Sequence, residues 1–234
     1  LQPVDRSECG RTEDPAWSPD GAWLAYTFAT SPRHTAIKLF ELATGQQVLA
    51  TQPEFRDYSP SFDPDGRYLY FLSLRTFDPV YDSVQFEMSF PRAARPYLIA
   101  LQARGAPPFE PVPKGLAKPD EKTESPKSLA GPVQVDVAGI ASRIAPFPVP
   151  ENLFGKISGA AGNKVIWSIL PIVGAHGRGG RKDEKGKLEV FDFDTGHTES
   201  LAENVDGFEL ANDGKTVVYR DDKRLRAIAV KTNG

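Results

Sequence analysis

From Ser59 to Ser73 the chain reads Ser-Pro-Ser-Phe-Asp-Pro-Asp-Gly-Arg-Tyr-Leu-Tyr-Phe-Leu-Ser, and its apolar positions predict a short strand, a tight turn and a longer strand. In the longer strand Tyr68, Tyr70 and Leu72 point one way while Leu69 and Phe71 point the other. Both faces are apolar, so this strand is expected to be covered on both sides. The turn chemistry is equally legible. Pro64 presets φ for a type I turn, Asp65 suits the following bridge-region position, and Gly66 takes the left-handed conformation that other residues resist.

The pattern recurs. Asp14 to Tyr26 repeats the Pro, Pro, Asp, Gly and Leu positions, with Trp17, Trp23 and Tyr26 standing where Phe62, Tyr68 and Phe71 stand. A third copy, from Asp206 to Tyr219, turns at Asn212-Asp213-Gly214. A period of about forty residues built from four-strand units is the signature of β-propeller blades. We therefore expect an all-β chain of about three and a half four-stranded antiparallel blades, belonging to a larger ring.

The first blade, 14–51, is predicted to have strands at 14–18, 22–29, 35–42 and 46–51, with Ala43-Thr44-Gly45 turning its last hairpin. The second, 59–137, carries insertions at 75–94 and 103–132. Its strands 67–74 and 95–102 are followed by a fourth expected at 133–137. The 103–132 insertion is rich in Pro, Lys and Glu and reads as exposed and poorly ordered. Removing both insertions from the spacing of the turn glycines Gly66 and Gly162 leaves about one period. The third blade, 154–202, has strands near 154–159, 163–170, 187–193 and 197–202, and its charged loop 174–186 is Gly-rich. The fourth, 206–230, shows three strands, near 206–211, 215–220 and 224–230, and its missing strand is expected elsewhere in a longer parent chain.

Composition changes this picture little. The 234 residues are 40% hydrophobic and 25% charged, with a formal net charge of −3. That balance argues against nucleic acid as a partner, and no apolar run reaches the length of a membrane span. The start, Leu1-Gln-Pro-Val-Asp-Arg, has neither a Met nor a signal-peptide core and reads as the inside of a longer chain. One cysteine, Cys9, excludes an internal disulfide and fits a reducing, cytoplasmic setting.

Candidate chemistry is sparse. Gly155-Lys-Ile-Ser158-Gly159 lacks the spacing of a nucleophile elbow and reads as strand. The glycines at 174, 177, 179 and 180 match no phosphate-binding fingerprint. His34, His176 and His197 form no metal-ligand pair. Asp192-Phe-Asp194-Thr-Gly196 with Glu203 mimics a calcium loop, but its glycine falls at the fifth position instead of the sixth, so a β-turn is expected. Asp63 and Asp65 read as turn formers. No catalytic residue, cofactor or metal is assigned.

A family resemblance enters with longer strings. Residues 56–73, Phe77-Asp-Pro-Val-Tyr-Asp82, Phe90-Pro-Arg92 and Arg95-Pro-Tyr-Leu98 resemble the tricorn protease family, as do Asp5-Arg-Ser-Glu8, Ala145-Pro-Phe-Pro-Val149 and Leu188-Glu-Val-Phe-Asp192. The resemblance covers nearly the whole chain. It implies a two-propeller architecture followed by a PDZ domain between catalytic subdomains, with this chain forming the last blades of a seven-bladed ring. It also implies a noncatalytic role in gating peptide substrates toward a serine-peptidase site, in an oligomeric parent. No position here matches the family's catalytic motifs. A competing reading is a protein-binding propeller similar to the TolB type, with no protease attached. Within the 75–94 insertion, Phe77, Tyr81, Phe86, Met88 and Phe90 are expected to anchor the loop. Arg75, Arg92 and Arg95 are the candidate contacts to a peptide carboxylate or to a catalytic subdomain, where a guanidinium gives forked recognition.

Overall fold

The computed structural model describes residues 3–75, 80–82, 87–89, 92–104, 109, 131–171 and 185–231. Three hairpins with one turn geometry set its frame. Gly21, Gly66 and Gly214 have φ of 72°, 70° and 65°, and each N–H donates at 2.9 Å to the carbonyl three residues back, on Ser18, Asp63 and Ala211. Any side chain would be strained at that left-handed position, which is why glycine recurs in the sequence there.

Strands β1 (Glu13–Trp17), β2 (Trp23–Ala29), β3 (Thr35–Glu41) and β4 (Gln47–Leu49) form an antiparallel meander, the first blade. The second blade contains β5 (Arg56–Phe62) and β6 (Tyr68–Leu74); β7 (Val80–Asp82) and β8 (Glu87–Ser89) then pair with each other, apart from the blade sheet among the described residues. It continues with β9 (Ala94–Ala100), a 3-10 turn at Ile140–Arg143 and β10 (Ile144–Pro146). The third is β11 (Phe154–Ala160), β12 (Lys164–Ile169), β13 (Gly186–Asp192) and β14 (His197–Val205), and the fourth is β15 (Gly207–Leu210), β16 (Thr216–Asp221) and β17 (Arg224–Ala229). A single parallel bridge, Thr35 to Arg56, joins the first two blades into one sheet.

One expectation is corrected. The fourth strand of the second blade is Ile144–Pro146, which pairs with Tyr97–Ile99 of β9, and not 133–137. The valines at 133, 135 and 137 alternate because they pack into the seam between the first two blades. Besides this packing, single hydrogen bonds and not a strand ladder tie the stretch to its neighbours. The Asp136 N–H donates to the Leu101 carbonyl at 2.9 Å, and the Val133 N–H to Asp20 Oδ2 at 2.7 Å. Burial without a ladder produced the same period-two signal as a strand. Most of the 103–132 insertion lies outside the described residues. Phe109, however, is half-buried and stacks on Phe193, with centroids 5.6 Å apart, so it is not a freely exposed position. The expectations for the aromatic side chains of 76–91 and for residues 172–184 lie outside the described residues as well.

The two-faced strands do what their pattern required. Leu69 and Phe71 of β6 join Trp23, Ala25, Ile37 and Leu39 in the first seam. Tyr68, Tyr70 and Leu72 join Phe154, Val165, Trp167 and Phe191 in the second. A third, smaller seam holds Ile166, Leu188, Val190, Phe208 and Val217. The residues before β1 lie against the outer side of the first blade. Asp5 accepts from Lys38 Nζ at 2.7 Å and from the Tyr26 hydroxyl at 2.8 Å. Burial pushes the Asp5 carboxyl up, but these hydrogen bonds and the Lys38 charge outweigh it and hold the group below its ordinary range. No helix among the described residues is long and apolar enough to cross a membrane.

Candidate functional site

The innermost strands of the four blades, β1, β5, β11 and β15, together border a groove of about 480 Å³. Its polar lining comes from Asp14, Ser59, Ser61, Lys156, Ser158 and Glu209. β1, β5 and β11 each carry an irregularity where they pass it. In β1 and β5 the irregularity places a non-glycine residue at positive φ, Asp14 at 52° and Ser59 at 53°. A bulge of this kind re-aims a side chain at a small conformational cost.

Side chains at these irregularities stitch the first blade to the second and the second to the third. Asp14 Oδ2 accepts the Ser59 N–H at 3.0 Å. Ser59 Oγ accepts the Ile157 N–H at 3.2 Å, and Ser61 Oγ accepts the Gly159 N–H at 3.0 Å. Edge amides that would otherwise be buried unpaired are thereby satisfied. Gly159 is required at this crossing: a Cβ there would lie 2.5 Å from the Phe62 carbonyl oxygen. Ser158 sits mid-strand on the groove wall, as the sequence indicated.

Beside the groove a buried polar latch spans the second seam. Arg67 Nε donates to Asp63 Oδ2 at 2.8 Å and a terminal nitrogen reaches Asn163 Oδ1 at 2.6 Å. Asp65 lies 3.2 Å from the same nitrogen, and the Tyr70 hydroxyl donates to Asp63 Oδ1 at 3.2 Å. Asn163, at φ 55°, passes the chain on to Asp194 Oδ1 at 3.0 Å. Asp63 and Asp65 thus form the turn and also hold Arg67. Sequence reading missed Arg67, whose only signal was its place directly after a turn glycine. Asp192 ends β13 and accepts the Asp194 N–H at 2.8 Å while pairing with Lys164 at 2.7 Å. The calcium-like string is therefore a β-turn between blade strands.

None of the three candidate arginines lines the groove. Arg75 is committed inward: its Nε donates to Ser73 Oγ at 2.8 Å and its Nη2 lies 3.3 Å from Asp57 Oδ2. The guanidinium also sits 4.7 Å from the ring centroids of both Phe55 and Tyr97. Asp57 is fully buried, and burial pushes its carboxyl up against the opposing pull of Ser73, Thr51 and Arg75. Arg95 donates to the Phe147 carbonyl at 3.0 Å and approaches Glu151 at 3.4 Å. Arg92 is exposed. His34 and His197 are exposed and do not line the groove, and among the described residues no three His, Cys, Asp or Glu side chains gather as a metal site would need.

Radially stacked antiparallel blades around an inner-strand groove define a β-propeller. A family model described as the tricorn protease second beta propeller domain matches residues 1–231, and the chain belongs to that family. A Sulfurisphaera tokodaii protein named as a tricorn-like protease C-terminal subunit is 41% identical over 99% of this chain and 25% of its own length. Tricorn protease homolog 1 of Streptomyces coelicolor is 37% identical over 97% of this chain and 22% of its own. The chain therefore spans a quarter or less of these relatives. The crystal structure of the tricorn protease superposes with a TM-score of 0.78 at 24% identity, covering 97% of this chain and 22% of that one. TolB from Acinetobacter baumannii shares the fold alone, with a TM-score of 0.56 at 17% identity over 96% of this chain and 41% of its own.

Proposed function

We propose that this β-propeller is the noncatalytic substrate-access and assembly segment of a tricorn-like serine peptidase. In this reading the peptidase works in the cytoplasm as a homo-oligomer, and its PDZ and catalytic domains lie in the same polypeptide. The observation that carries the reading is the inner-strand groove: four strands from four blades present hydroxyls and opposite charges around one passage. A wall of short polar side chains offers an unfolded peptide many weak contacts and no deep apolar pocket that would retain it. Arg92 supplies an exposed guanidinium for a peptide carboxylate or a neighbouring domain, while Arg75 and Arg95 hold the second blade in shape.

The test uses the intact protein. Glu209→Trp narrows the groove from a position with an 81% exposed side chain, so folding is little burdened, and Ser158→Leu narrows it from β11. Hydrolysis of a tripeptide and of a long unfolded peptide is compared. Access through the groove predicts that kcat/KM for the long peptide falls about tenfold while that for the tripeptide holds. Equal effects on both peptides, or none on either, would remove the groove from the substrate path.

A further inference from the structure

Two serines of the groove wall are engaged in a way that fixes what else they can do. Ser59 Oγ accepts the Ile157 N–H at 3.2 Å, and Ser61 Oγ accepts the Gly159 N–H at 3.0 Å. A hydroxyl that accepts an amide proton still has its own proton to give. Among the described residues neither hydroxyl finds an acceptor for it. Ser59 is 7% exposed, so its unused donor is a buried polar group that borders the groove and lacks a partner on the protein side.

Spacing and charge narrow the ligand. Ile157 and Gly159 are two residues apart on β11, and extended backbone repeats its direction over that interval, about 6.6 Å. Each serine oxygen lies within 3.2 Å of its amide, so the two unused donors are set along β11 at a similar interval. The carbonyls on one edge of an extended peptide recur at the same interval. The charged groups, meanwhile, are occupied by the protein itself. Asp14 Oδ2 takes the Ser59 N–H at 3.0 Å and the Thr27 hydroxyl at 3.2 Å, while Lys156 Nζ is held by Glu209 at 2.5 Å and by the Phe208 carbonyl at 3.3 Å. The groove therefore offers neutral donors, which suit a backbone carbonyl and are indifferent to the side chains beside it.

We infer that Ser59 and Ser61 donate hydrogen bonds to alternate carbonyl oxygens of an extended peptide lying along β11, so that the groove reads the polypeptide backbone and not its sequence. Main-chain contacts of this kind give affinity without side-chain specificity. The inference rests on the substrate-access reading and deepens it, by assigning the substrate class and the two side chains that meet it. The matching position of the first blade shows what is particular here. Asp14 also accepts an amide of the next blade, but a carboxylate has no proton to offer a peptide.

Backbone-modified substrates test it on the intact protein. One long peptide carries thioamides at alternate residues remote from the scissile bond, which weakens the carbonyl acceptors. Another carries N-methyl groups at the same residues, which removes only the amide donors. Thioamides are expected to lower kcat/KM between about threefold and tenfold, and N-methyl groups to change it less than about twofold. Ser61→Asp keeps an acceptor for Gly159 and removes the donor, so the thioamide penalty should shrink about two- to threefold. Ser61→Thr keeps both functions and should retain the penalty. Each penalty is a ratio taken within one variant, so a change in folding or at the catalytic site cancels. A thioamide peptide cleaved as fast as its parent would overturn the inference, while Glu209→Trp and Ser158→Leu, still selective against long peptides, would uphold access through the groove. Equal losses from thioamides and N-methyl groups, or a thioamide penalty untouched by Ser61→Asp, would overturn it as well. Silent narrowing variants would instead remove the access reading, and this inference with it.

Discussion

The seam between the second and third blades and the seam between the third and fourth are built by the same repeat, yet they are held differently. The former is aromatic: Tyr68, Tyr70, Phe147, Phe154, Trp167 and Phe191 meet there, with Phe147 lying edge-on to Trp167 at 5.6 Å and to Phe191 at 5.3 Å. The latter relies mainly on aliphatic groups, with the rings of Phe208 and the partly buried Tyr219. Their polar contacts diverge in parallel. The aromatic seam contains the Arg67 latch, with side-chain exposures of 7% and 2% for Arg67 and Asp63. The aliphatic seam has Lys156 and Glu209, 2.5 Å apart but 41% and 81% exposed. One seam is tied by a buried polar latch, while the other is tied nearer the surface, by Lys156 with Glu209 and by Lys185 with Asp221 at 2.7 Å.

The sharpest way to probe that contrast is to truncate each core. Trp167→Ala should cost about 3–5 kcal/mol, and Val217→Ala about 1–2 kcal/mol, in denaturant unfolding of the folded protein. Comparable losses at the two sites would erase the distinction. Next comes the latch. Arg67→Ala leaves Asp63 buried without its guanidinium and should cost about 3 kcal/mol, whereas Lys156→Ala should cost less than about 0.5 kcal/mol. Gly159→Ala follows: the added methyl meets a backbone carbonyl that cannot step aside, for about 2 kcal/mol.

A pH series sharpens the comparison from the first seam. The Asp57 carboxyl is raised in the fold, mainly by burial, so the folded state prefers it protonated. Its contribution to stability is then greatest below the ordinary aspartate range and declines as pH climbs from there to the raised value. Asp57→Asn should remove that decline, seen as a flatter difference between the two stability–pH curves over this interval. An unchanged curve would mean that Arg75 fully offsets the burial. The smallest effect is expected at Arg92. Arg92→Ala should alter stability by less than about 0.5 kcal/mol, so any selective loss of long-peptide hydrolysis in the intact protein would report contact and not folding.

What the sequence revealed follows from how local each feature is. The Pro-Asp-Gly turns and the two-faced strands are set within a dozen residues, and both were readable. The displaced fourth strand was not, because Val133, Val135 and Val137 alternate for burial in a seam while Ile144-Ala-Pro146 is short and contains a proline. Arg75 was expected to offer its charge outward. Nothing near it in sequence announces Asp57 and two aromatic rings waiting on either side. Arg67 was passed over for the same reason, since its partner Asn163 belongs to another blade. The polar groove emerges only when four distant strands are laid side by side.

The stitching of inner strands has a consequence for how such rings can change over evolutionary time. Asp14 and Ser59 stand at matching places in consecutive repeats, and each offers a short acceptor to the amide of the repeat that follows. A duplicated unit brings both halves of this joint with it, an acceptor for its successor and a donor for its predecessor. Repeats can therefore be added or lost as interchangeable parts, provided that this one position keeps a small oxygen-bearing side chain. Gly155, early in β11, offers no such oxygen, and the next joint uses the long reach of Lys156 instead. The joint between the third and fourth blades is thus a different kind of fastener, one that copying the first two repeats would not reproduce.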